Sequence, residues 1–220
     1  MNAPGRLAGV GLSALLAASA GAQVTKNGNA YLFRLHLTKG EKLHFKVPFT
    51  ISGYEAYNLR FGMFLKVLKV SSTGEATVHC KVETGAFNLT GRDPNGGTFT
   101  VDQRGRVGSD DHGASVGFCI VYPKDPVAVG GTFIAPVPAA LGGGTAGTTS
   151  QATFKFLGFS GAGAHRCAKL TFTVQGNKDP GGSILVRMSD GVLEKYYTKF
   201  VATPQATGKP VTVTATFIRE

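Results

Sequence analysis

From Tyr31 to Phe49 the side chains alternate in character at nearly every step, and a period of two restricts what such a chain can become. Tyr31, Phe33, Leu35 and Leu37 fall on one side, with Leu32, Arg34 and His36 on the other. After Thr38-Lys39-Gly40-Glu41 the pattern resumes as Leu43, Phe45, Val47 and Phe49 against Lys42, His44 and Lys46. Successive side chains of an extended chain point to opposite faces, so each run reads as a half-buried strand. Glycine between them predicts a hairpin whose loop, Lys39 to Glu41, sets Leu35 opposite Phe45 and His36 opposite His44.

The same signal recurs down the chain. Residues 61–70 and 76–83 flank Ser71-Ser72-Thr73-Gly74-Glu75, a second predicted hairpin. Its first strand is apolar on both faces, with Met63, Leu65 and Val67 on one and Phe64, Leu68 and Val70 on the other, which predicts a central strand or one covered on its back. Further β runs are expected at 98–102, 116–122, 152–159, 168–174, 183–188, 192–201 and 210–218, bounded by Gly, Pro, Asn and Asp. Helical period is nearly absent; only 54–59 and 137–141 offer a turn or two. Glycine, 31 of 220 residues, has no every-third-residue period, so it marks turns rather than collagen. The predicted fold is all-β: an antiparallel curved sheet forming a half-barrel or barrel. Residues 136–151 are small, uncharged and Gly/Thr-rich, and are expected to cross between two similar halves, 23–135 and 152–220. The halves share a turn type, Asp102-Gln103-Arg104-Gly105 in one and Asp190-Gly191 in the other.

The N-terminus reads as an address. Arg6 precedes an uncharged apolar stretch, 7–18, and Ala20-Gly21-Ala22 supplies the small-x-small pattern of a signal peptidase site. The stretch falls short of the roughly 20 residues that a spanning helix needs. Residues 1–22 are therefore expected to be a signal peptide, and 23–220 a single secreted or periplasmic domain with no transmembrane segment. Three cysteines, Cys80, Cys119 and Cys167, allow at most one disulfide, and Cys80 shares its strand side with Ala76, Val78 and Val82, so burial is as open as bridging.

Catalytic and cofactor motifs are weak. Gly113-Ala114-Ser115-Val116-Gly117 satisfies G-x-S-x-G, but the residues that follow read as strand, whereas a nucleophile elbow runs into a helix. No spacing ties His165 or Asp190 to Ser115, so a serine hydrolase is the outlying alternative. His36, His44 and His79 share their faces with Arg34, Lys42 and Lys46, and a cationic neighbourhood repels a divalent ion. Asp102, Asp110 and Asp111, and the cluster Asp110-Asp111-His112, read as loop carboxylates, and the chain has no Trp to build a sugar platform. There is no C-x-x-C, phosphate loop or dinucleotide fingerprint, so neither a cofactor nor a metal is expected. Lys and Arg exceed Asp and Glu, 23 to 13, and are spread over most strands. On an exported chain that balance points to anionic lipid or wall polymer rather than nucleic acid.

Tyr122-Pro123-Lys124-Asp125-Pro126-Val127-Ala128-Val129-Gly130-Gly131-Thr132-Phe133 resembles a recurring piece, P-V-x-V-G-x-T-aromatic, of secreted bacterial β proteins of unassigned function. The run from Tyr31 to Phe45 resembles the start of that group, and Asp190-Gly191 its late turn; the usual Trp is Phe133 here. The resemblance implies an architecture similar to the half-barrels of periplasmic lipoprotein carriers and brings no catalytic residues. The expected function is that of an exported, non-catalytic protein. Phe33, Leu35, Phe45, Val47, Phe64, Phe154 and Phe156 are the candidate ligand-binding residues: they line a concavity for an apolar or amphiphilic envelope ligand, or pack on one another as core. The alternative is a structural or assembly component of the envelope that binds anionic polymer through its positive surface.

Overall fold

Alternation becomes sheet along almost the whole chain. The computed structural model describes residues 24–52, 57–84, 96–108, 118–138, 149–175, 181–202 and 209–220. Ten strands form one antiparallel sheet: β3 (Lys42–Ser52), β4 (Tyr57–Val70), β5 (Ala76–Thr84), β6 (Gly97–Val101), β8 (Thr132–Pro138), β9 (Thr149–Ser160), β10 (Cys167–Val174), β11 (Gly182–Arg187), β12 (Leu193–Ala202) and β13 (Val211–Arg219). Their order is β6-β5-β4-β3-β13-β12-β11-β10-β9-β8. Each strand lies beside its sequence neighbour except at the centre, where β13 meets β3. The sheet curves without closing into a barrel, because β6 and β8 remain separate edges. A small second sheet, β1-β2-β7, is built from β1 (Val24–Asn27), β2 (Ala30–Phe33) and β7 (Val127–Ala128).

Bulges help to bend the large sheet. Register shifts between Val67 and Lys69, between Lys169 and Leu170, and between Leu185 and Val186 set Leu68, Leu157 and Glu194 as extra residues against their partner strands. Each extra residue increases local twist.

One face of the sheet is apolar, and the chain covers it with its own interior segments. Phe33, Leu35, Leu37, Phe118, Ile120 and Tyr122 are buried in the same core cluster as Phe45, Leu65, Phe99, Phe156 and Leu170 from the sheet. Phe33 stacks on Tyr122 at 5.9 Å and meets Phe156 edge-on at 5.2 Å, while Phe118 lies 6.2 Å from Phe99. Beside this filling runs a ladder of rings, Phe133, Phe154, Phe172 and Tyr196, stacked at 5.0, 5.6 and 5.5 Å, and ending edge-on at Phe217. Phe172 reaches Tyr196 across β11 because Gly182, its partner there, has no side chain.

Two Asp-Gly turns clamp the interior. Gln103 and Asp190 carbonyls accept the N–H groups of Leu35 (2.6 Å) and His36 (2.8 Å), one turn on each side of the segment. Asp102 Oδ1 accepts the N–H groups of Arg104 and Arg106, and Asp190 Oδ1 that of Val192. The Tyr122 hydroxyl donates to the Gly191 carbonyl. Gly105 and Gly191 have φ of 77° and 71°, and a Cβ on either would collide with a carbonyl oxygen of the interior, Ile120 and Arg34 respectively. Arg219, 10% exposed, ties the second turn to the sheet through Asp190 at 2.7 Å and Glu41 at 3.6 Å.

Several sequence expectations change. The first hairpin does not form: β2 pairs with β1 and β7, residues 34–38 are not strand, and β3 pairs with β4 and β13. His36 therefore does not face His44. Alternation decides which side is buried but not the partner, and the N–H groups of Leu35 and His36 bond to the two turns instead. Phe118, Ile120 and Tyr122 are likewise buried without ladder pairing. Both ends of the 136–151 run are strand, Pro136–Pro138 of β8 pairing with Thr149–Gln151 of β9; 139–148 lie outside the described residues. Tyr57–Leu59 and Val137–Pro138 are strand rather than helical turns. The second hairpin, β4 to β5, forms as expected, with Val70 opposite Ala76. β4 is internal to the sheet, but its back is open, since Phe64 and Leu68 are exposed.

Gly191→Ala combines a positive φ with a backbone collision and is expected to cost at least about 2 kcal/mol in denaturant unfolding. Gly40→Ala, with a similar φ but open space around it, is expected to cost about half as much.

Candidate anion-binding face

The outward phase of β3, β4, β5, β9, β10 and β12 collects lysines. In β3, Lys42 and Lys46 alternate with the buried Leu43, Phe45 and Val47. Lys66, Lys81, Lys155, Lys169, Lys195 and Lys199 occupy the same exposed phase of β4, β5, β9, β10 and β12. Pairing brings them together. Lys42 stands opposite Lys66, and Lys66 opposite His79; one step along, His44 stands opposite Phe64 and Phe64 opposite Lys81. These residues, with Glu220, line an open groove of about 420 Å³. The His44 ring stacks on Phe64 at 3.9 Å and 12°, and Glu220 accepts from both His44 Nδ1 and Lys46 Nζ. A second groove of about 540 Å³ lies across β9 to β13, lined by Lys169, Lys195, Leu185, Tyr197 and the hydroxyl-bearing Ser160, Ser183 and Thr216.

Among the described residues, Lys42, Lys66, Lys155, Lys169, Lys195 and Lys199 make no ion pair. Like charges directly opposite one another are destabilising. Ammonium groups offer donors only, and hydroxyls beside them add more, so the chemistry of both grooves suits carboxylate, phosphate or sulfate oxygens.

The seven candidate ligand-binding residues separate. Phe33, Leu35, Phe45, Val47, Phe154 and Phe156 are buried on the inner side, all but Val47 within the continuous core cluster, and none lines either groove. Phe64 is the correction: it points to the outer face, 37% exposed, and stacks on His44. Ser115, Asp110, Asp111 and His112 lie outside the described residues. Asp190 serves Arg219 and the Val192 N–H, Asp102 serves its own turn and Arg106, and His165 sits in a short 3₁₀ turn. No group of three His, Cys, Asp or Glu suited to a metal occurs among the described residues. Arg104 and Arg106, the closest basic pair in sequence, are engaged by the Tyr122 carbonyl and Asp102. The lysines of the outer face were harder to find, because they come together through strand pairing rather than proximity in sequence. Their shared outward phase was the available signal.

The chain matches no family model, no curated protein and no solved structure.

Cys119, half-buried, directs its sulfur to the Gly105 carbonyl at 3.8 Å. Burial, with the Asp102 carboxylate second, pushes its thiol up to about 12. Burial also raises Cys167, Tyr122 and Tyr196. The fold favours the neutral form of each, so their contribution to stability is complete below the ordinary thiol value of about 8.5 and is lost as pH rises through the folded values. The melting temperature is expected to fall from about pH 9 upward. Cys119 is expected to resist alkylation at pH 8 until the chain is unfolded, as read by mass spectrometry; labelling of native Cys119 at the rate of a free thiol would contradict its enclosure.

Proposed function

We propose that the protein is exported and acts without catalysis, holding an anionic component of the cell envelope on the outer face of its sheet. The carrying observation is the set of exposed lysines, unpaired among the described residues, that the sheet gathers on one side while the chain's own segments fill the other. Export is supported by the leader-like sequence of residues 1–22 and by the likeness of residues 122–133 to secreted bacterial β proteins. No helix among the described residues is long and apolar enough to cross a membrane.

Retention on a carboxylate-bearing polysaccharide resin is expected to fall steeply between about 0.01 and 1 M salt, where the screening length shrinks from about 30 to about 3 Å. Retention that stays constant across the titration, or equals that on the uncharged resin, would remove the electrostatic reading.

A second reading, an amphiphilic ligand with an anionic head, draws on the exposed apolar side chains of the same face. Phe64, Leu157, Tyr197 and Ile218 are all more than one-third exposed among the lysines. Phe64→Ser is expected to weaken binding of a fluorescent fatty acid several-fold, through loss of roughly 1–2 kcal/mol of apolar contact. Absence of any fatty-acid binding to the parent protein would dismiss this reading.

A further inference from the structure

One row of the outer face has an order that net charge alone does not require. Register partners run Lys46 to Ile218, Ile218 to Lys195, Lys195 to Leu185 and Leu185 to Lys169, across β3, β13, β12, β11 and β10. Cation and aliphatic side chain thus alternate strand by strand, perpendicular to the strands. Neighbouring strands lie about 4.8 Å apart, so successive lysines are spaced by about 10 Å over a row about 20 Å long. The three lysines are exposed. Lys46 shares Glu220, whereas Lys169 and Lys195 make no ion pair among the described residues. Ser160, Ser183, Tyr197 and Thr216 flank these two along the second groove. Beyond Lys46 the same register reaches Gly62 and then Glu83, the ion-pair partner of Lys81, while Lys42 and Lys66 line the first groove beside it.

The geometry points to a binding site for a single linear polyanion, laid across the strands with its anionic groups on Lys195 and Lys169 and its backbone on Leu185 and Ile218. This rests on the proposed anionic partner and adds a direction, a register and a minimum length. A monovalent anion would occupy one lysine; a chain bridging two gains from the second contact at high effective concentration. The aliphatic residues between the cations offer van der Waals contact to the uncharged links of such a polymer, and the acidic group nearest the row, Glu220, sits at its β3 end on Lys46 and His44, away from Lys195 and Lys169 in the register.

The test uses the full chain and inorganic polyphosphate, with polygalacturonate as the carboxylate counterpart, orthophosphate as the monomer and phosphatidylglycerol vesicles as the bilayer alternative. Lys169→Gln/Lys195→Gln removes two charges on the row. Lys155→Gln/Lys199→Gln removes two charges from the same face but off it. All four side chains are exposed, and unchanged melting curves confirm folding. The on-row pair is expected to lower polymer affinity at least about tenfold and the off-row pair less than about threefold, with orthophosphate far weaker than either polymer. A stronger response to polyphosphate identifies phosphate oxygens as the preferred group, and one to polygalacturonate identifies carboxylate; either supports the site. Equal losses from both pairs would overturn the row while leaving the anionic partner standing. Binding of vesicles but not of polymers would replace the polymer by a bilayer. No binding to any polyanion or vesicle would overturn both this inference and the reading on which it rests.

Discussion

A ten-stranded sheet with one apolar face is stable only if that face is covered, and among the described residues the cover is neither an α-helix nor a second large sheet. Residues around Phe33 to Leu37 and Phe118 to Tyr122 lie against the inner side as extended segments. Extended backbone buried among side chains carries N–H and C=O groups that no ladder satisfies, each costing roughly 1–3 kcal/mol if left unpaired. The two Asp-Gly turns answer that demand. One supplies the Gln103 carbonyl and the other the Asp190 carbonyl to adjacent N–H groups, while the Arg34 guanidinium donates to the Phe33, Pro123 and Lys124 carbonyls. The sheet's curvature, its open edges and the interior filling are thus one arrangement: a barrel closed tightly on itself would leave little room for the segments that complete the core.

What could be read from the sequence divides along the same line. Period-two alternation located β3, β4, β5, β6, β9, β10, β11, β12 and β13 within one to three residues at most ends, because burial on one face is imposed locally by the pleat. The same alternation misassigned 31–37 as the partner of β3 and 118–122 as a strand. Both segments are buried on one side like a strand, and side-chain pattern carries no record of where the backbone hydrogen bonds go. β8 was lost for a related reason: Pro136, Pro138 and the Gly/Thr run after them mimic a linker. An edge strand tolerates proline, whereas a central strand would lose a ladder bond. Phe64 was misplaced because β4 is apolar on both faces, so composition could not say which ring pointed inward.

The shared Asp-Gly turn was legible as a local likeness, and its structural role was not. Both carboxylates cap their own turns, both glycines have positive φ, and both press against a carbonyl of the interior. Only the packed chain shows that the two turns grip the same segment from opposite sides.

The outer lysines follow a different logic from the core. Their positions are fixed by strand register, which the buried face determines, so the row Lys46-Ile218-Lys195-Leu185-Lys169 is a consequence of inner packing read out on the outside. Placed on alternate strands, about 10 Å apart, two ammonium groups repel by only about 0.4 kcal/mol in water even before salt screens them. Adjacent strands would bring them to about 5 Å and double that figure, as between Lys42 and Lys66. Interposing Ile218 and Leu185 therefore lets the face accumulate positive charge at small cost to folding, while an extended anionic chain placed on it would meet Lys195 and Lys169, the two lysines of the row without an ion pair among the described residues, at once.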